Sequence, residues 1–214
     1  VVPGSAKKRT YRGNVRSGST VVTEIAAWYN IFMVEVVRSC PEMCRFCLAS
    51  YLTLPFRSAS VEASLLPAIE KGLLVTRRLG LLGASITQHP EFETLLDYIN
   101  QPQYDDVRLS MSSVRTNTVI QKLAQSLVNH GAKSITIAIE SGSQRVRDIV
   151  NKKLDTDEIE AAAKQAKAGG LKSLKLYGMA GVPGESQDDL RETAELLIQL
   201  KKKVPGLRLT LGCS

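Results

Sequence analysis

The chain has no apolar run approaching the roughly 18 residues that a membrane-crossing helix needs. Its first residues contain no apolar stretch of the kind that forms a secretory leader. A cytoplasmic protein with no membrane partner is the expectation. The cysteines are also not spread as a disulfide framework would spread them. There are four, with Cys40, Cys44 and Cys47 crowded together and Cys213 far downstream. Aromatic residues make up only 5%, and no stretch interleaves them with basic side chains as a nucleic-acid surface would. Acids are missing altogether before Glu24, where Lys7, Lys8, Arg9, Arg12 and Arg16 stand. That cluster carries most of the net charge of +7. Residues 1–32 therefore read as a basic linker or tail. The chain starts at Val1 without Met and stops on a strand-like run, so a piece of a longer protein is expected.

With 43% apolar residues in 214, the chain can bury one substantial core. Short apolar, β-branched runs recur at Met33–Ser39, Leu79–Ser85, Val107–Val114, Ser134–Ser141, Ser173–Met179 and Leu207–Cys213. Several look apolar on both faces, as with Ile135, Ile137, Ala138 and Ile139, which suits parallel strands covered by helices. Helical patterns lie between them. Ile120, Leu123 and Leu127 form a stripe that stops at Gly131. Asp155 with Glu158, and Ser186 with Asp189, resemble capping boxes. Further helices are expected near 60–75 and 90–100, with Pro90 in a first turn. The result is an α/β fold of six strand–helix units, as an open sheet or a partial barrel. Small or polar groups gather where each strand ends, which is where parallel α/β folds place their chemistry.

The informative motif is Cys40-Pro41-Glu42-Met43-Cys44-Arg45-Phe46-Cys47. Thiolates favour zinc or iron–sulfur clusters. Structural zinc wants four ligands, often as two close pairs, and here a tight triplet stands alone. Three thiolates on a four-iron cube leave one iron open for catalysis. The spacing, with Phe46 before the third cysteine, resembles the motif of the radical S-adenosylmethionine (SAM) superfamily. Gly83-Ala84-Ser85 stands where that family usually has Gly-Gly-Glu. Ile139-Glu140-Ser141-Gly142-Ser143 and Gly178-Met179-Ala180-Gly181-Val182-Pro183-Gly184-Glu185 resemble its fourth- and fifth-strand segments.

The resemblance implies a partial TIM-like (β/α)6 barrel of six parallel strands, with residues 33–214 as the core domain, cut after the sixth strand. It implies a 4Fe-4S cluster on Cys40, Cys44 and Cys47, with S-adenosylmethionine on the fourth iron. Reductive cleavage of the sulfonium to a 5′-deoxyadenosyl radical is the implied activity. An electron donor of ferredoxin or flavodoxin type would serve as partner. The stretch from Met33 to Arg57 looks closest to members with a cobalamin-binding domain, so cobalamin held outside this chain and a methyl transfer are implied. Two other readings stand beside it. One is a tRNA-modifying enzyme of methylthiotransferase type, which commonly needs a second cysteine group that is not seen here. The other is a zinc-stabilised binding domain that uses the basic tail.

Carried onto this sequence, the resemblance puts Phe46 near adenine and the methionine amino group on the backbone carbonyls of Gly83, Ala84 and Ser85. The change from Glu to Ser at position 85 removes one charged contact. Glu140 would accept from the ribose hydroxyls. Arg115 would pair with the methionine carboxylate, with Arg145 as its rival. Ser141 would be a ligand contact or a helix cap. Gly178, Ala180 and Gly181 would let the backbone approach adenine. Cys213 would sit at the mouth.

Overall fold

The computed structural model describes residues 4, 9–11, 13, 18–112 and 114–214. In chain order the strands are β1 (Phe32–Glu35), β2 (Val37–Arg38), β3 (Arg57–Ser58), β4 (Arg78–Leu82), β5 (Arg108–Met111), β6 (Ser134–Glu140), β7 (Ser173–Gly178) and β8 (Arg208–Cys213). The helices are α1 (Leu48–Thr53), α2 (Leu66–Leu73), α3 (Phe92–Ile99), α4 (Gln121–Asn129), α5 (Gln144–Ile149), α6 (Thr156–Ala168) and α7 (Gln187–Lys203). A π-turn at Val61–Leu65 leads into α2. No helix among the described residues is long and apolar enough to cross a membrane. Of the basic tail, Lys7, Lys8, Arg12 and Arg16 lie outside the described residues, as does Ser113 at the end of the third run.

The six long strands are parallel, but they form two three-stranded sheets, β1-β4-β5 and β6-β7-β8, rather than one. Among the described residues an isolated parallel bridge, Val114 to Ile137, joins them. The six expected parallel strands are present, while one six-stranded barrel sheet is not formed among the described residues. Ser112 extends the pairing of the first sheet. Its N–H donates to the Leu81 carbonyl, and its hydroxyl donates to the Gly83 carbonyl and accepts from the Gly83 N–H. That ties the end of the third run to β4.

The first run also breaks. Val36 still donates to the Leu82 carbonyl, but Val37 and Arg38 then turn to pair with β3 in an antiparallel ribbon. The strands are not apolar on both faces. Leu79 and Leu81, Ile135, Ile137 and Ile139, and Leu174 and Leu176 face the helices in one continuous core. The alternate positions, Arg78, Arg108, Ser110, Ser134, Thr136, Ser173 and Lys175, face the concave side, as a period of two requires. Each fully buried Leu or Ile contributes about 1.5–3 kcal/mol to stability.

Local signals fix the outer helices. Asp155 and Glu158 form a complete capping box at the start of α6, and Ser186 and Asp189 form one at the start of α7. α6 ends at Ala168, with Gly169 as its cap. Pro90 precedes α3, which opens at Phe92, so it sits just outside the first turn.

Candidate active site at the cysteine loop

The loop from Ser39 to Cys47 leaves the β2–β3 ribbon with two left-handed residues, Ser39 at φ 73° and Met43 at φ 56°. These reversals bring the cysteines round one hollow. Ser39 is buried, and its hydroxyl donates to the Ser50 carbonyl at 3.1 Å. Cys47 occupies the N-cap position of α1, and its N–H donates to the Cys44 carbonyl at 3.0 Å. The far side of the loop rests on the turn after α5. Asn151 Nδ2 donates to the Met43 carbonyl at 2.8 Å, and the Arg45 N–H donates to the Val150 carbonyl at 2.9 Å.

All three thiols are free, and they line one cavity of about 210 Å3 together with Phe46, Ala84, Ser85, Arg115 and Glu140. Cys44 is buried, and that desolvation pushes its thiol above the usual range. The Ser50 hydroxyl points a donor at Cys47 Sγ from 3.5 Å. Among the described residues no group of three His, Cys, Asp or Glu side chains is arranged to hold a metal ion.

Glu140 reaches the cavity through an irregular strand end. The β6–β7 register shifts between Ala138 and Glu140, and Glu140 adopts φ 63°. Its carboxylate is 2.6 Å from Lys152 Nζ, with both side chains largely withdrawn from water. Gly83 has a positive φ of 157°, and a Cβ there would stand 2.8 Å from the Val37 carbonyl oxygen, so only glycine lets the β4 end pack on the ribbon. Ser85 is buried and donates to Gln88 Oε1.

Other expected contacts lie elsewhere or are already engaged. Arg115 lines the cavity, but Glu42 Oε2 stands 3.2 Å from its guanidinium, which also donates to the Lys152 and Lys153 carbonyls. The carboxylate partner expected for it is thus supplied by the protein. Arg145 points away to an ion pair with Asp189. Ser141 is fully buried between the Ser143 N–H and the Thr193 hydroxyl, and it does not line the cavity. Its place is structural. The buried Arg147 holds the same turn through the Ser141 and Leu154 carbonyls. Gly178 pairs with Glu140 and Cys213 in the sheet. Ala180 and Gly181 follow it on the exposed loop, and none of these three lines the cavity. Cys213 is exposed at the end of β8.

The residues that sequence reading missed are Glu42, Gln88, Thr136, Lys152 and Tyr177. Gln88 Nε2 donates to Glu42 Oε1, and Lys152, Thr136 and Tyr177 line the cavity. Thr136 and Tyr177 carried a signal in the alternation of their strands. Lys152 sits in a turn that no periodicity marks.

Parallel strands covered by helices, with a triple-cysteine loop following the first of them, define an α/β class. Residues 34–197 match the model of the radical SAM superfamily, and the chain belongs to that superfamily. It is 30% identical over 192 residues to an uncharacterized protein of Methanocaldococcus jannaschii, covering 89% of this chain and 42% of that one. It is 28% identical over 185 residues to an uncharacterized methyltransferase of Pyrococcus horikoshii, covering 80% and 37%. The chain thus spans less than half the length of these curated relatives.

Among solved structures it is similar in fold to TsrM, a radical SAM methyltransferase from Kitasatospora setae with cobalamin and a [4Fe-4S] cluster bound. The TM-score is 0.64 at 12% identity, covering 84% of this chain and 36% of that one. It is also similar in fold to OxsB, a cobalamin-dependent S-adenosylmethionine radical enzyme. There the TM-score is 0.59 at 17% identity, covering 77% and 26%.

Proposed function

We propose that this chain is the radical-generating core of an enzyme that binds a 4Fe-4S cluster on Cys40, Cys44 and Cys47 and S-adenosylmethionine in the adjoining cavity. The observation that carries the reading is that three free thiols share one hollow with Ala84, Ser85 and Glu140. The donor set fits a cube better than a single ion. A structural zinc site takes four ligands around one point, and this loop offers three thiols. A cube takes one thiolate per iron and leaves the fourth iron for a ligand. When bound, the cluster would supply the electron that cleaves the sulfonium reductively.

The protein's own groups hold and shield. Lys152 and Arg115 place positive charge near Cys44 and favour its thiolate, against the desolvation that opposes it. The Gly83 and Ala84 carbonyls would accept from the methionine ammonium. Glu140, fixed by Lys152, would accept from the ribose hydroxyls. Phe46 would cover the adenine side and keep water out. Gly178, Ala180 and Gly181 stand outside the cavity lining, and the loop after β7 would reach adenine only by moving towards it. Residues 1–32 would link this core, 33–214, to a preceding domain. The fold likeness to two cobalamin enzymes and the name of the Pyrococcus relative favour a cobalamin-assisted methyl transfer, with a ferredoxin or flavodoxin as reductant.

The test is anaerobic reconstitution with iron and sulfide, then dithionite and S-adenosylmethionine, with Cys44→Ala as control. About four irons per chain and 5′-deoxyadenosine that disappears in the control are expected. Bound zinc without iron would overturn the reading in favour of a structural metal site.

A further inference from the structure

The concave face of the two sheets is charged with one sign. Arg78 pairs in register with Arg108 on the first sheet. On the second, Ser134, Ser173 and Arg208 form one row, and Thr136, Lys175 and Thr210 form the next. All of these face away from the helices, because Leu79, Leu109, Ile135, Leu174 and Leu209 take the opposite side with the core. Four cations and a set of hydroxyls therefore line the concavity where a filled barrel would carry packed Val, Ile and Leu.

Acids do not balance them. On these six strands the acids are Glu35 and Glu140, and each is already ion-paired, with Arg38 and Lys152. None of Arg78, Arg108, Lys175 and Arg208 makes an ion pair among the described residues; Arg78 lies over the Tyr29 ring instead, at 4.3 Å. An ordinary solvated face mixes signs, as α7 does with Asp188, Arg191, Glu192 and Glu195. The segregation is therefore a property of the concave face.

This face encloses space. A cavity of about 420 Å3 lies in the gap between β5 and β6, with Arg78, Arg108, Ser110, Ser134 and Thr136 on its wall and no acid among the described residues that line it. It shares Ser112, Val114, Thr136 and Tyr177 with the cysteine cavity, so the two adjoin. From the row of Arg208 to the row of Tyr177 is four residues along the strands, or about 13 Å.

We propose that this concavity is the substrate site, and that it takes an elongated small molecule carrying a phosphate or carboxylate group. Arg78, Arg108 and Lys133, which line the cavity, hold the anionic end, the hydroxyls of Ser110, Ser134 and Thr136 bind its polar body, and the reacting end points towards the cysteine cavity. The assignment of this ligand as substrate rests on the radical reading given above, whereas anion binding itself does not.

The experiment is calorimetric titration of the full-length, cluster-loaded protein at low ionic strength. The probes are glycerol 3-phosphate, succinate and glycerol. Saturable binding of one of the two anions is expected, and which one binds identifies the group. Glycerol is expected not to bind. Arg78→Gln, Arg108→Gln and Lys133→Gln should each weaken that binding by about fivefold or more, while Lys202→Gln on the outer surface of α7 should not change it. Binding of neither anion, or equal binding in wild type and the three cavity variants, would overturn the proposal. Iron content and deoxyadenosine formation of the same preparation are read separately. Their failure would count against the radical core and leave the anion site standing on the titration.

Discussion

Glu42 and Arg115 meet across the cysteine loop: the carboxylate lies 3.2 Å from the guanidinium, and their side chains are only 14% and 9% exposed. The pair fastens a residue between the first two cysteines to the turn after β5. The same guanidinium donates to the carbonyls of Lys152 and Lys153. Arg115→Ala would leave Glu42 with its nearest cation removed and two carbonyls without that donor. A loss of about 2–4 kcal/mol is expected, measured by chemical denaturation, with faster release of iron to a chelator. Arg115→Lys should recover only part of it, because a single ammonium cannot replace a fork that spans three acceptors.

Glu140→Gln should leave iron uptake intact, since the carboxylate is no cysteine ligand. It should weaken S-adenosylmethionine by about tenfold, as an ionised acceptor for two hydroxyls becomes a neutral one. Equilibrium binding to the reconstituted protein checks this. An unchanged affinity would remove Glu140 from the ribose contact.

Gly83→Ala should cost about 1–3 kcal/mol. The new Cβ would meet the Val37 side chain at 2.5 Å and the Val37 carbonyl oxygen at 2.8 Å. The ribbon that launches the cysteine loop would have to move. A lower melting temperature together with lower iron content is the expected result. A stable variant that still fills with iron would mean that the ribbon yields freely.

Asp189 accepts from the Ser186 N–H and from the hydroxyls of Ser143 and Ser186, and it pairs with Arg145. Arg145 above all, then these hydroxyls, holds its carboxyl well below the usual aspartate range. A carboxyl depressed in the folded state adds stability above its unfolded value, and that stability drains away as pH falls towards the folded one. Asp189→Asn should therefore melt at a lower temperature at neutral pH. The gap from wild type should narrow once the pH drops below about 4. Thermal melts across pH 2–7 would check both the sign and the window.

What could be read beforehand was what short stretches decide. The two capping boxes depend on residues three apart, and both formed as the residues suggested. The strand runs were also legible, because helices cover one face of each. The break between the sheets was not, since pairing between β5 and β6 is a contact that only the folded chain can make or leave out. The run Ile135 to Ile139 seemed two-faced because Ala138 is small enough to sit on either side. The concave polarity shows only when Thr136, Lys175 and Thr210 are set in register. At the site, the clustered cysteines announced themselves. Lys152 did not, because it enters through a turn after α5, a helix too short for its pattern to stand out.

The clamp of Asn151 on the Met43 carbonyl joins residues 108 apart in sequence. During synthesis the cysteine loop leaves the ribosome long before the turn that fastens it. At about 5–20 residues per second that interval is roughly 5–20 s. Through those seconds Cys40, Cys44 and Cys47 are held by nothing from the second half of the chain. The order in which the polypeptide appears thus sets aside a period when the loop lacks this fastening, and it closes when the turn after α5 folds.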